Sequence, residues 1–343
     1  MRTETYNHFS LYLEDVARLN GVSVEQVKTD FSVEPSIQQR LESKMQESSE
    51  FLKSINMYPV KDQVGETLGM GVSGPIAGTT DTDKQERQTS DISQLEANGY
   101  FCQQINYDSH IKYPKLDAWT RFPDFATRLN AAIVQRMALD RIMMGFNGIA
   151  RAKTSDKTKN PLLQDVAKGW LQKIRENAPK RWIKEGKKEA GQIQIGEGGD
   201  FKTLDALVLA ASRSFLDPWY RNDTQLVAIT GSNLVSDKLF PLVNRIQAPT
   251  EQRAALDMII SQVRLGPMQA IQVPYFPEDA VLITRLDNLS VYSQEGSLRR
   301  SVKDNSARDR IETFQSSNDD FVIEDYGCVA LIENIHNLEG SLV

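Results

Sequence analysis

Residues 124–145 carry the stretch that decides the fold, DFATRLNAAIVQRMALDRIMMG. Its apolar residues keep helical spacing and form two stripes, Phe125, Leu129, Ile133, Met137 and Met144 in one and Val134, Ala138 and Ile142 in the other. A helix with apolar residues on more than one side needs packing partners on more than one side. The pattern predicts a rod of roughly 30 Å, capped by Asp124 and ended by Gly145 and Gly148.

Residues 1–60 predict an arm rather than a self-contained domain. A first helix should end at Asn20 and Gly21, since both residue types tolerate a left-handed cap. A second should begin at Ser23, with Gln26 in the capping-box position.

An extended joint follows over residues 29–35, because the residue before Pro35 avoids helical angles. Residues 36–53 are helical again but carry few apolar side chains. Two weak helices on an extended joint need a surface to lie on, so we expect the arm to pack on a partner.

Residues 61–100 are glycine-rich and polar, and they predict a long two-stranded excursion with a flexible tip. Strand-forming residues flank it at 58–64 and 101–113. Residues 69–74, GMGVSG, match the G-x-G-x-x-G pattern, but dinucleotide binding also needs a helix to follow directly. Pro75 follows instead, which favours a flexible hairpin loop over a dinucleotide site.

The chain carries 40 Lys and Arg against 46 Asp and Glu, a net charge of −6. This balance excludes a generic nucleic-acid coat, since phosphate neutralisation needs surplus basic residues. Residues 150–190 hold twelve basic and five acidic residues, so this segment is +7 and the remainder is −13. We interpret it as complementary to an acidic neighbour, with a plain solvated surface or DNA contact as alternatives. Within it, residues 162–177 predict a helix that Pro179 ends.

The second half of the chain predicts a small α/β unit over residues 201–285, then alternating strands. The expected helices cover 204–217 and 254–260, and the expected strands cover 226–230, 270–273, 280–284, 289–292, 298–302, 321–324 and 328–332. Residues 196–199 are a glycine cluster without the lysine of a phosphate-binding loop, so we interpret them as a hinge. The pattern itself indicates only this small α/β unit, and the α+β class is what the family resemblance described below implies.

No catalytic, cofactor or metal site is predicted, and an enzyme is not expected. His8, His110 and His336 have no partner at helical spacing. The acidic pairs 319–320 and 324–325 are adjacent strand or turn residues that face opposite ways, so neither forms a carboxylate dyad.

The composition, 40% hydrophobic and 25% charged, is ordinary for a soluble globular protein. No stretch approaches the ~20 apolar residues of a membrane span, and the start lacks the apolar core of a secretory signal. Cys102 and Cys328 stand far apart in no metal spacing, which predicts free thiols in a reducing compartment. We expect a soluble intracellular protein.

Several unusual strings run in order along nearly the whole chain. They are VEPS at 33–36, MQESS at 45–49, GFNG at 145–148, NPLLQDVAKGWLQ at 160–172, FPLVN at 240–244, VPYFP at 273–277 and DFVIEDY at 320–326. On these strings the chain resembles the major capsid proteins of Peduovirus-type tailed phages, whose shells use the Hong Kong 97-type capsid fold.

The resemblance implies a division of the chain into the parts of that fold. Residues 1–60 would be the N-terminal arm and 61–118 an extended loop lying across a neighbouring subunit. The peripheral domain would take 119–200 and 286–338, with the long helix as its spine. Residues 201–285 would be the axial domain, and 339–343 a short tail.

The resemblance also implies partners. These are other copies in pentamers and hexamers, an internal scaffolding protein with a maturation protease, a portal at one vertex, and double-stranded DNA held by weak non-specific contact. Assembly would take place in the host cytoplasm, with no membrane partner, and the product would be the virion head. N-terminal trimming is common in such shells, and we place it at Asp30, Phe31 and Ser32.

For contacts between subunits we single out five residues, Gly69, Gly71 and Gly74 of the loop and Arg175 and Arg181 of the basic segment. No motif singles out a Lys–Asn pair, so no covalent cross-link is predicted. Two alternative functions stay open. One is a cellular nanocompartment shell, and the other is an enzyme or a DNA-binding module, which would rest on the G-x-G-x-x-G match and the +7 segment.

Overall fold

A computed structural model describes residues 3–67, 77–89, 99–119, 125–234 and 264–338. Its α-helices are α1 (Thr3–Asn20), α2 (Val24–Val27), α3 (Pro35–Glu47), α4 (Glu50–Ser54), α5 (Tyr113–Trp119), α6 (Phe125–Asn147), α7 (Trp170–Asn177) and α8 (Leu204–Phe215). Its strands are β1 (Phe31–Ser32), β2 (Asn56–Val60), β3 (Val64–Glu66), β4 (Gly99–Phe101), β5 (Gln103–Asn106), β6 (Ser109–Lys112), β7 (Trp182–Ile183), β8 (Ile193–Ile195), β9 (Leu226–Thr230), β10 (Arg264–Leu265), β11 (Met268–Ile271), β12 (Val281–Arg285), β13 (Leu289–Gln294), β14 (Arg299–Asn305), β15 (Arg310–Ile323), β16 (Ala330–Ile332) and β17 (Ile335–Asn337).

Two sheets organise the described chain. The first has the order β1-β14-β15-β13-β2, and β5 and β6 also pair with the long strand β15. The second has the order β10-β11-β9-β12-β16-β7. Strands β7 and β16 therefore join the second sheet from outside residues 201–285, which we expected to form the axial domain.

The long helix α6 packs on the first sheet as a two-sided rod. Met137, Ala138 and Ile142 are buried in the main apolar core, which confirms the expected two-sided burial. The helix runs two residues past Gly145, so Gly145 is not its end as predicted. It is an interior position over which the Trp170 ring lies. The predicted cap Asp124 lies outside the described residues.

The arm packs on its own chain rather than standing free. Helices α1 and α2 have the predicted bounds and cap, with Gly21 in the left-handed region at φ 65° and the Ser23–Gln26 capping box formed. Their apolar face buries Phe9 and Leu13 against Leu116 of α5 and Ile311 of β15. The first sheet therefore provides the packing surface that we expected the arm to need.

Three predicted elements differ in extent. Residues 36–53 form two helices, interrupted at Ser48. The helix predicted over 162–177 begins only at Trp170, directly after the extended Gly169, and Leu163 within the predicted range has a left-handed φ of 58°. The predicted helix at 254–260 lies outside the described residues.

The described part of the predicted excursion includes a two-stranded antiparallel ribbon of β3 and β4, with Val64 opposite Phe101. Residues 68–76 and 90–98 of the excursion lie outside the described residues. The flanking strand residues instead join the first sheet, β2 beside β13 and β5 and β6 beside β15.

The longest strand is the least predictable one. We expected a strand only at 321–324, whereas β15 covers 14 residues. Its inward positions before Phe321 include Thr313, Gln315 and Ser317, all buried. Polar side chains at these positions conceal the alternation that normally reveals a strand.

Candidate assembly surfaces

A buried charge cluster lies where the arm, the long helix and the first sheet meet. Arg141 of α6 is fully buried and donates from Nε to Asp319 Oδ2 of β15 at 3.1 Å. The same guanidinium group forms a two-armed ion pair with Glu42 of α3, with Nη2 to Oε1 at 3.0 Å. Two carboxylates from different elements therefore share one cation.

Asp319 is the more completely satisfied of the two carboxylates. Its Oδ2 also accepts hydrogen bonds from Tyr107 Oη at 3.1 Å and Ser317 Oγ at 2.9 Å, and its Oδ1 accepts one from Ser293 Oγ at 2.9 Å. A buried charge is tolerated only when it is paired and hydrogen-bonded in this way. The cluster fixes the position of α3 relative to α6 and β15.

Burial in this cluster makes ionisation of the Glu42 carboxyl group less favourable. Burial raises the pKa of its carboxyl group above the ordinary value of 4.5, and the attraction of Arg141 offsets this only partly. An acid whose pKa is raised by folding stabilises the folded state below its unfolded pKa and loses that contribution as the pH rises.

Glu42→Gln should therefore change the pH dependence of stability. As the pH rises from about 4.5, the wild-type chain should lose stability relative to the variant, since only the wild type must ionise a buried acid. Urea midpoints of both chains measured from pH 4 to pH 8 test this. A constant difference across that range would contradict the assignment.

Two of the predicted contact residues are engaged within the chain. Arg175 donates from Nε to Glu333 Oε2 at 3.0 Å and from Nη2 to Oε1 at 2.5 Å. Arg181 binds Asp217 through Nη2 at 2.8 Å and also donates to the carbonyl oxygen of Phe215. Both are partly exposed, and their contact with a neighbouring subunit stays a prediction.

The rest of the basic segment divides into paired and exposed residues. Lys173 forms an ion pair with Asp320 at 2.8 Å, and Lys168 forms one with Glu176 at 2.8 Å. Exposed side chains include Lys153, Lys157, Lys180, Lys187 and Lys188. Lys173, Arg175 and Arg181 pair with acidic residues outside the segment, and these ion pairs neutralise part of its +7 charge. Less positive charge therefore remains to bind a neighbouring subunit or DNA.

The ribbon of β3 and β4 presents an apolar pair to solvent. Val64 is 63% exposed and Phe101 is 49% exposed, and the two lie opposite each other. The base of the ribbon is fixed, because the Phe101 N–H donates to Asp320 Oδ2 at 2.9 Å. The adjacent Cys102 is fully buried, and burial raises the pKa of its thiol to about 12. A rigidly based ribbon with an exposed apolar pair is a candidate contact surface.

The proposed processing region lies at the edge of the first sheet. Phe31 and Ser32 form β1 and pair with Arg300 and Arg299 of β14. Ser32 Oγ donates to the Gly296 carbonyl oxygen at 3.2 Å. The pairing is only two residues long, with Phe31 partly buried and Ser32 exposed, and processing at this region stays a prediction. The three candidate loop residues Gly69, Gly71 and Gly74 lie outside the described residues.

Sequence reasoning missed the charge cluster entirely. The available signal was the position of Arg141 on an apolar face of the helix, at helical spacing from Met137, Ala138 and Met144. Among the described residues, no group of three or more His, Cys, Asp and Glu side chains could hold a metal ion. None of the described helices combines the length and apolarity needed to cross a membrane.

The comparisons with known proteins agree with this architecture. The chain matches the model of the family "Phage major capsid protein, P2 family" over residues 8–335. It is 50% identical to the capsid protein of Escherichia phage P2 over 98% of this chain and 95% of that protein. It is 39% identical to the major capsid protein of Serratia phage KSP20 over 98% of this chain and 97% of that one.

A solved structure shows the same fold. The chain in the satellite phage P4 procapsid, a structure that includes a size determination protein, is 47% identical. It superposes with a TM-score of 0.82 over 98% of this chain and 99% of that one. The fold is therefore the Hong Kong 97-type capsid fold, and the molecule is a structural, shell-forming subunit rather than an enzyme. The chain belongs to the P2 family of phage major capsid proteins.

Proposed function

We propose that this chain assembles with an internal scaffolding protein into a head of pentamers and hexamers that encloses double-stranded DNA. Assembly takes place in the host cytoplasm, and a portal occupies one vertex. The proposal rests on the β3–β4 ribbon. This ribbon exposes the apolar side chains of Val64 and Phe101, and the hydrogen bond from the Phe101 N–H to Asp320 fixes its base. In a closed shell, repetition of one weak contact stabilises the whole particle.

In this proposal the ribbon lies across a neighbouring copy, and residues 201–285 meet their counterparts around the symmetry axes. Arg175 and Arg181 lie near the surface and add to subunit contacts through donors left over from their intrachain pairs. The net charge of −6 keeps the contact with packaged DNA weak, so the cargo can leave.

Electron microscopy of the protein, expressed with and without the neighbouring scaffold gene, tests the proposal. Uniform closed shells that require the scaffold are expected. Irregular aggregates or small oligomers under both conditions would contradict it.

Phe101→Asp should block assembly while leaving the subunit folded. Phe101 is half-exposed in the free chain, so the substitution removes little burial, but it places a charge in an apolar contact. Shell yield after sedimentation should fall at least about tenfold for a loss of about 1.4 kcal/mol per contact. Phe101→Leu is the matched control and should retain shells. Equal yields for the Asp and Leu variants would exclude the ribbon from the interface.

Processing at Asp30, Phe31 and Ser32 should remove α1 and α2 but not α3. Mature heads should therefore contain chains that begin within or just after this region, while Glu42 stays paired with Arg141. Intact-mass measurement of purified heads tests this. Retention of residues 1–29 in mature, DNA-filled heads would contradict the assignment.

A further inference from the structure

A groove of about 190 Å³ lies between the arm, the long helix and the first sheet. Val16 and Asn20 of α1 form one wall, and α3 and α6 form the others. Its lining includes Gln315 of β15 and Arg300 of β14. This groove is distinct from the Arg141 cluster, whose three charged residues do not line it.

Two buried donors in the groove have no partner. Gln315 is 4% exposed, and its Nε2 makes no hydrogen bond. Arg300 donates from Nη2 to Tyr12 Oη at 3.2 Å and to Asn130 Oδ1 at 3.1 Å, but its buried Nε makes no hydrogen bond. An unsatisfied buried donor costs about 1–3 kcal/mol, so two in one groove indicate a ligand that accepts hydrogen bonds.

The charge of the groove specifies that ligand further. The described residues that line it include three basic side chains, Arg40, Lys44 and Arg300, and none that is acidic. The remaining walls are largely apolar, with Ile37 and Leu41 of α3 facing Ile133 of α6. A carboxylate flanked by apolar side chains matches this surface in both charge and polarity.

We propose that the groove binds an acidic, amphipathic segment of the scaffolding protein, with one carboxylate accepting from Gln315 and Arg300. This inference rests on the proposed function. Val16 and Asn20 precede the processing region, so trimming at residues 30–32 removes one wall. The groove is complete only in the unprocessed chain, which matches a partner that is bound before maturation and released afterwards.

Fluorescence anisotropy with the purified, labelled scaffolding protein and the full-length, unassembled chain tests the inference. The double variant Arg40→Glu/Lys44→Glu should weaken binding by about a hundredfold through charge reversal. Gln315→Met should weaken it by about tenfold. Because the Gln315 amide has no partner to lose, this variant should melt at or above the wild-type temperature. The double variant Lys180→Glu/Lys187→Glu, at two exposed positions outside the groove and with an equal change of charge, is the control for Arg40→Glu/Lys44→Glu.

The possible results distinguish a failure of the groove inference from a failure of the proposed function. Unchanged affinity for both groove variants, with tight wild-type binding, would place the scaffold elsewhere and leave scaffold-assisted assembly intact. A lower melting temperature for Gln315→Met without any loss of affinity would show that water already serves this donor, which overturns the inference. No binding by the wild-type chain, together with shells formed without scaffold, would overturn both the inference and the proposed function.

Discussion

Arg141→Met should lower the free energy of unfolding by about 3–5 kcal/mol, enough to prevent accumulation of soluble subunits. The variant keeps most of the side-chain volume but leaves Asp319 and Glu42 without their cation. Asp319 is almost fully buried, and its hydroxyl partners cannot neutralise it. An uncompensated buried carboxylate is among the most destabilising single changes a protein can suffer.

Arg136→Met is the matched control, because Arg136 lies on the same helix and also pairs with a carboxylate, Asp140. Its side chain is 52% exposed, so its ion pair contributes at most about 1 kcal/mol. Arg141→Lys should lie between the two, since an ammonium group cannot reach both carboxylates with the fork of a guanidinium group. Denaturant midpoints of the three variants give the order directly. Equal losses for Arg136→Met and Arg141→Met would show that the buried cluster has no special weight.

Under the proposed trimming at residues 30–32, the cluster would divide the arm into two parts with different fates. Helix α3 lies after the processing region and is held by Glu42, whereas α1 and α2 lie before it and are held by apolar packing. Trimming would thus separate the apolar part of the arm from the part fixed by charge. In this proposal α3 remains in place as the sheet loses the cover provided by Phe9 and Leu13.

Local rules were sufficient for the elements whose determinants are contiguous in sequence. The helix end at Asn20, the capping box at Ser23 and the strand at 226–230 follow from neighbouring residues, and the structure has each of them. The capsid fold came from the resemblance of unusual strings, not from periodicity. Composition and spacing alone predicted an arm, a projecting hairpin, a two-sided long helix and a small α/β unit.

The same local rules could not predict features that depend on contacts between residues distant in sequence. In β15 the buried Asp319 is paired with Arg141, a residue distant in sequence, so nothing local marks Asp319 as buried. Local pattern predicts a helix end at Gly145 because glycine is a weak helix former. Its actual role depends on Trp170, 25 positions away, which no local pattern connects to it.

Trp170→Ala should cost about 3–5 kcal/mol, because this fully buried ring fills the centre of the main core. The ring contacts Phe146 at 5.2 Å and Phe321 at 5.3 Å between centroids, and its Nε1 donates to the Ser290 carbonyl oxygen at 3.0 Å. Removing it opens a cavity and leaves a buried acceptor unpaired. Shells should not form at 37 °C.

Gly145→Ala should destabilise the wild-type chain by about 1–3 kcal/mol, the range for overpacking a core. A Cβ at this position would lie 2.6 Å from Trp170 Cε3 and 2.7 Å from Cη2, far inside van der Waals contact. Alanine is otherwise the better helix residue by about 1 kcal/mol. The loss therefore measures how closely the ring approaches the helix.

The double variant Gly145→Ala/Trp170→Ala separates these two effects. Without the ring, the new methyl group has room, fills part of the cavity and gains helix propensity, so Gly145→Ala should become neutral or stabilising. The sign of the substitution thus reverses with its partner, and a double-mutant cycle from urea midpoints measures the coupling. A Gly145→Ala effect that is the same in both backgrounds would mean that Gly145 is needed for the backbone of α6 and not for the approach of Trp170.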